Sequence, residues 1–205
     1  MSEFRFVGGE ICLDLINTVD WEGESPVEAE RLADYEDLIS WAAGAGSLDR
    51  TEAAGLRKQA RGAPGAAREA LQEALEVRAL FRRMALAVVK GEPPRAGDLA
   101  GFNRRLSEAL SHRRIAVQGS RLVRAWEPAD DLHRPLWPAF VSLADLLVSP
   151  ELRYLKECGG ARCGWMYVDR SRPRARRWCE MSTCGNRAKA RRHYHRGAGS
   201  GHHGE

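Results

Sequence analysis

The chain has 205 residues, of which 43% are hydrophobic and 29% charged, with a formal net charge of +4. That length suits one core of ordinary size plus a small module. No apolar run approaches the roughly 20 residues that cross a bilayer, and the first residues lack the apolar stretch of a secretory signal, so neither a membrane-spanning helix nor a secretory signal is expected and a cytoplasmic location is predicted.

Phe4-Arg5-Phe6-Val7 alternates briefly and predicts a short strand, which Gly8-Gly9 breaks. Cys12, Leu15, Ile16 and Val19 recur at helical spacing, so Glu10 to Val19 reads as a buried helix. Asp20 to Pro26 reads as a loop. A helix follows near Asp34, with Leu38, Trp41 and Ala42 on one face and Gly44 and Gly46 ending it. Leu48 to Gly62 predicts another helix, weakened by Gly55, and Pro64-Gly65 reads as a break. Arg68 to Lys90 has the strongest helical pattern, with Leu71, Leu75, Ala79, Met84 and Val88 as its apolar stripe. Asp98 is placed to cap a helix through about Leu110.

The period then changes. Arg114 to Gln118 and Arg121 to Trp126 alternate around Gly119-Ser120, the pattern of a β-hairpin with a two-residue turn. Trp137 to Val148 returns to helix and stops at Ser149-Pro150. The fold class is therefore α+β: a mostly helical N-terminal domain over residues 1–150 with a small β-hairpin, a small second module over 151–196, and a Gly-rich tail, 197–205, expected to be disordered.

Four of the five cysteines fall in that second segment, as Cys158-x4-Cys163 and, fifteen residues on, Cys179-x4-Cys184. Two short-loop pairs supply two edges of the tetrahedron that zinc prefers. In a reducing compartment such clustering points to metal before disulfides or free thiols. The expectation is one structural Zn2+ held by Cys158, Cys163, Cys179 and Cys184, with no open position for catalysis and with metal binding supplying much of the module's folding free energy. Between the pairs, Trp165 to Val168 reads as a strand and Arg176 to Trp178 as its return. Gly185 to Arg192 reads as a helix opening at the last ligand, which gives a treble-clef-like finger. Cys12, on the apolar face of the first helix, reads as a buried, inert thiol.

Charge is unevenly spread. Cys158 to Arg196 holds eleven Lys/Arg and two acids, Asp169 and Glu180, a net of +9, which leaves −5 for the rest of a chain totalling +4. A basic end on an acidic body suits nucleic acid. The candidate contacts are Arg172, Arg174, Arg176 and Arg177 in the turn, and Arg187, Lys189, Arg191, Arg192 and Tyr194 on the helix; arginine forks match phosphate, and Tyr194 or Trp178 offers a stacking face. The competing reading pairs some of these arginines with the acidic body. Asp14, Asn17 and Thr18 are polar residues amid apolar ones: they either line a pocket for a small-molecule effector or tie their helix to neighbouring loops. No nucleophile elbow, phosphate loop, paired-histidine helix or dinucleotide fingerprint is present, and the chain is not expected to be an enzyme.

The strings Cys163-Gly164-Trp165-Met166-Tyr167-Val168-Asp169, Arg176-Arg177-Trp178-Cys179-Glu180-Met181 and Cys184-Gly185-Asn186-Arg187-Ala188-Lys189 resemble the CGNR zinc finger. Gly8 to Thr18, and Asp34 to Gly46 with Leu38 and Trp41, resemble the ABATE domain that accompanies this finger in bacteria. The resemblance implies a bacterial, stress-linked transcription regulator whose four cysteines are the zinc ligands, and with the basic face it makes double-stranded DNA the expected partner. The alternative is a zinc-stabilised module that binds RNA or protein without DNA sequence specificity.

Overall fold

The computed structural model describes residues 4–28, 30–127 and 131–199, with the side chains of 28 and 195–199 left out. The element order is α1 (Ile11–Ile16), β1 (Asp20–Glu22), β2 (Ser25–Glu28), α2 (Tyr35–Gly44), α3 (Arg50–Gly62), α4 (Pro64–Val89), α5 (Ala96–Ser111), β3 (Arg113–Gln118), β4 (Arg121–Trp126), α6 (Trp137–Val148), β5 (Leu155–Glu157), β6 (Met166–Val168) and α7 (Asn186–Gly199). Short 3-10 turns at Arg134–Leu136 and Pro150–Tyr154 lead into α6 and β5. The three sheets are antiparallel two-stranded ribbons, β1–β2, β3–β4 and β5–β6, so the fold is α+β with helices dominating.

The short helix α1 is the centre of the body. Cys12, Leu13, Leu15 and Ile16 are completely buried, covered by α4, α6 and β6. Such a helix is too short to persist alone and survives through its packing. Helix α4 forms the long wall, and its buried residues are Ala67, Ala70, Ala74, Val77, Arg78, Leu80, Phe81, Arg82, Met84, Ala85 and Leu86, whereas Leu71, Leu75, Ala79 and Val88 are only partly buried. The seam therefore keeps Met84 of the predicted stripe but is otherwise displaced from it, with Leu71 and Leu75 at its margin. Phe81, Phe102 and Phe140 join α4, α5 and α6, with ring centroids 5.1 to 6.0 Å apart.

Several boundaries differ from the sequence reading. Phe4 to Val7 forms no strand. The segment read as a loop from Asp20 is the β1–β2 ribbon, whose Trp21 is buried against the body. Pro64 does not interrupt the chain but opens α4 at its first position, where a missing N–H costs nothing. Asp98 lies inside the first turn of α5 and pairs with Arg83 at 2.7 Å instead of capping. Asp34 does cap α2, and Asp49 caps α3 reciprocally with Glu52. The β3–β4 hairpin and α6 lie where the sequence places them. At the other end α7 extends to Gly199, past the point where order was expected to end; the remainder of the tail lies outside the described residues.

The finger is built into the body. Met166 and Val168 belong to the main core, while Tyr167, Trp165 and the four cysteines form a second, smaller cluster. The Asn17 side chain clasps both backbone groups of Met166, donating to its carbonyl and accepting from its N–H, each at 2.8 Å. Trp21 N–H donates to the Cys163 carbonyl, Trp165 Nε1 to the Val19 carbonyl and Val168 N–H to the Gly8 carbonyl. Arg82, fully buried on α4, donates to the carbonyls of Gly23 and Gly164 and pairs with Glu157.

Candidate metal centre

Cys158 follows directly on β5, and a tight loop returns the chain to Cys163 and β6. The Cys158 N–H donates to the Trp165 carbonyl at 2.7 Å and closes that loop. Glycines in and after it give clearance: a Cβ on Gly160 would sit 3.0 Å from the Cys184 sulfur and 3.3 Å from that of Cys158. One on Gly164, where φ is +60°, would lie 2.5 Å from the Trp21 carbonyl oxygen. The partner of β6 is β5, ahead of the first cysteine pair, and Arg176 to Trp178 carries no strand. The predicted hairpin is therefore real in kind but embraces the first cysteine loop instead of the arginine turn. Cys179 precedes, and Cys184 lies within, a π-helical turn, Met181–Gly185, that runs straight into α7.

The four sulfurs lie within 4.8 Å of one another and all four residues are buried. Cys163 and Cys179 sulfurs are 3.7 Å apart, and those of Cys179 and Cys184 3.6 Å. A tetrahedron with Zn–S bonds of about 2.3 Å has its sulfurs about 3.8 Å apart. A disulfide needs about 2.05 Å, and all five cysteines are free. The backbone N–H groups of Gly160 and Cys179 point at the Cys158 sulfur, 3.4 and 3.2 Å away, as donors to a thiolate. Four thiolates at this separation need a cation among them, and a divalent ion supplies it. The donor set and spacing fit one zinc ion, with a closed shell that makes its role structural.

Around the centre, the turn from Asp169 to Trp178 is organised by one buried carboxylate. Asp169 accepts from Lys156 Nζ at 2.7 Å, from Ser171 N–H and Oγ, and from Arg176 N–H. Burial alone would raise its pKa, but Lys156 and these donors hold the carboxyl well below the usual range. Nothing in the sequence pattern marked Asp169 as the hub of this turn, since its partners come from both sides of the turn. Cys12 is fully buried, and burial pushes its thiol up to about 12, consistent with an inert core residue.

The candidate nucleic-acid contacts divide by environment. Arg172, Arg177, Arg187, Lys189, Arg191 and Arg192 are exposed. Arg174 and Arg176 are half-buried and turn inward: Arg174 donates to the Asp169 carbonyl and covers the Tyr154 ring, and Arg176 donates to the carbonyls of Trp178 and Cys179 and covers the Tyr167 ring. Arg170 is tied to the body through Glu10 and Glu151, at 2.5 and 2.6 Å. Tyr194 is exposed near the end of α7. The structure also shows a cleft of about 500 Å3 between the first cysteine loop and α7, where Arg177, Arg187, Arg191 and Arg192 surround the Trp178 indole and the Gly159–Gly160 backbone. The backbone part of this cleft has no composition signal.

Asp14, Asn17 and Thr18 are all buried. Asp14 accepts from Gly8 N–H at 2.8 Å, Asn17 holds Met166, and Thr18 accepts from the buried Arg78 at 2.9 Å and donates to the Leu15 carbonyl.

No helix among the described residues is long and apolar enough to cross a membrane. The ABATE family model, described as a putative stress-induced transcription regulator, matches residues 9–150, and the CGNR zinc finger model matches residues 154–197. Both are of regulator or zinc-finger type and neither describes an enzyme. A search of the curated proteins gives no match. The two models together span the helical body and the whole metal centre, and the chain belongs to the ABATE family of transcription regulators, with a CGNR zinc finger following the ABATE domain.

Proposed function

We propose that this protein regulates transcription by binding double-stranded DNA through the outer surface of its zinc finger. The carrying observation is the cleft beside the metal centre, where four arginines converge around an indole face and glycine backbone. Arg172, Arg177, Arg187, Lys189, Arg191 and Arg192 form no ion pair among the described residues, so their charge is available to an external anion. Guanidinium forks match phosphate oxygens, and backbone phosphate contacts supply affinity and orientation. Zinc contributes by fixing the first turn of α7 through Cys184. Arg174 and Arg176 act differently in this reading, as braces that shape the turn carrying Arg172 and Arg177.

The test is fluorescence anisotropy of the zinc-loaded chain with duplex DNA, structured RNA and single strands across a range of salt. Duplex affinity is expected to fall steeply, with a log–log slope of about −0.9 per phosphate neutralised. The Arg187→Ala/Arg191→Ala chain should bind more weakly and with a slope shallower by roughly 2. Preference for RNA or single strands over duplex would replace this reading with the RNA-binding alternative, and salt-independent binding would remove the phosphate contacts altogether.

A further inference from the structure

The ribbon β3–β4 is a second basic element, separate from the finger. Arg113 to Trp126 contains Arg113, Arg114, Arg121 and Arg124 and no acid. Taking this +4 from the −5 of the chain outside the finger leaves −9, so the ribbon stands on a strongly acidic body. Arg114, Arg121 and Arg124 are exposed and their side chains form no hydrogen bond or ion pair among the described residues, while Arg113 lies 4.3 Å over the Trp126 ring at the base.

The ribbon is also apolar where it projects. Ile115, Val117 and Leu122 are 64%, 73% and 75% exposed. Val117 and Leu122 face each other next to the Gly119-Ser120 turn, and all six cross-strand pairs run without a bulge. Beyond their mutual pairing, the strands' backbone groups find no further backbone partner among the described residues. Natural ribbons with open edges and bare aliphatic tips are normally covered or blunted.

Its direction is fixed by what it touches. At the base Trp126 packs on Trp137, in the first turn of α6, with centroids 5.8 Å apart. Further along, Ile115 and Arg124 share a cleft with Val141 and Asp145, one and two turns later on α6. The ribbon therefore runs beside α6 toward its C-terminal end, from which the chain passes through Pro150–Tyr154 into β5 and the metal centre.

We infer that β3–β4 is a second nucleic-acid-binding element, a ribbon that lies in a groove of duplex DNA with arginines on the phosphates and Val117 and Leu122 against the base edges. This inference rests on the reading that the protein binds DNA. Two antiparallel strands fit a groove of B-form DNA, and groove-binding proteins combine arginines with aliphatic side chains pressed between base steps. Charge selects the occupant: ribbon against ribbon in a second copy would set four arginines against four, whereas phosphates meet them with the opposite sign.

The experiment compares the zinc-loaded full chain with two ribbon variants, Arg121→Ala/Arg124→Ala and Leu122→Ser, and with Arg187→Ala/Arg191→Ala in the finger. Anisotropy is read on random-sequence duplex DNA over a salt series, with thermal melts to show that each variant is folded. The arginine ribbon variant should bind about tenfold more weakly with a slope shallower by roughly 2, and Leu122→Ser should weaken binding with the slope unchanged. Wild-type affinity and slope in both ribbon variants, with the finger variant impaired, overturn the ribbon and leave the finger reading standing. Loss in the ribbon variants alone supports the ribbon and overturns the finger; no loss in any variant overturns both. Ribbon-dependent capture of polyglutamate without any effect on duplex binding overturns the inference in favour of an acidic protein partner.

Discussion

Replacing Asn17 by alanine tests how the finger is held. Asn17 is 2% exposed, and its amide makes both hydrogen bonds to Met166 at 2.8 Å. Alanine leaves a buried N–H and a buried carbonyl without partners, at about 1–3 kcal/mol each, so a loss of about 4 kcal/mol is expected. Against a total stability on the order of 5–15 kcal/mol this is a large fraction. At roughly 2–4 °C per kcal/mol for a chain of this size, the melting temperature should fall by about 8–16 °C. The control is Ile16→Val, one residue earlier on the same buried helix, which removes a methylene for about 1 kcal/mol and leaves the Met166 bonds intact. Urea titration followed by tryptophan fluorescence gives the two free energies, and amide exchange reports the Met166 N–H directly. If Asn17→Ala costs no more than Ile16→Val and Met166 remains protected, the finger is not fastened through α1 and the reasoning fails.

Two further substitutions probe the same junction. Burial pushes the Asp14 carboxyl up to about 6, against an ordinary value near 3.9, with the Gly8 N–H opposing the shift. The folded chain thus keeps a proton that the unfolded chain has released, so stability should decline as pH rises from about 4 to about 6, by on the order of 3 kcal/mol, and level off above. Asp14→Asn retains the acceptor for Gly8 and should flatten that slope in pH-dependent urea melts; an unchanged slope would assign it to another group. Gly164→Ala places a methyl against the Trp21 carbonyl at a positive φ, and should cost about 2–4 kcal/mol while lowering zinc affinity in chelator competition. Wild-type stability and zinc affinity in that variant would show that the approach of Trp21 to the first cysteine loop is not required.

The metal centre was largely legible because its signal is local. Cys158, Cys163, Cys179 and Cys184 stand at spacings that bring sulfurs together whatever the surrounding chain does, and the helix after Cys184 follows from ordinary propensity. Local signals also gave the helix near Asp34 and the turn at Gly119-Ser120. What failed depended on distant partners. Arg176-Arg177-Trp178 has the look of a strand, but Leu155–Glu157 takes the place beside β6, a pairing set by the docking of β5 against α4. Asp20 to Pro26 has the look of a loop because Gly23 and Pro26 punctuate it, yet Trp21 finds a buried seat between α1 and the finger that makes a ribbon of it. Arg174 and Arg176 are indistinguishable in sequence from Arg172 and Arg177; only Asp169 and the carbonyls around it decide which of the four turn inward.

Arg82 makes a statement about inheritance. Its guanidinium meets one carbonyl from the β1–β2 turn, one from the first cysteine loop and the Glu157 carboxylate, all from its place on α4. Such a group is tolerable in an interior only when every one of those partners arrives together. A finger of this kind transplanted onto an unrelated body would bring two of the three and leave behind the cation they were shaped to receive. The two segments are thus poor candidates for shuffling as separate cassettes, and a functional chimera in this architecture must exchange the socket along with the plug.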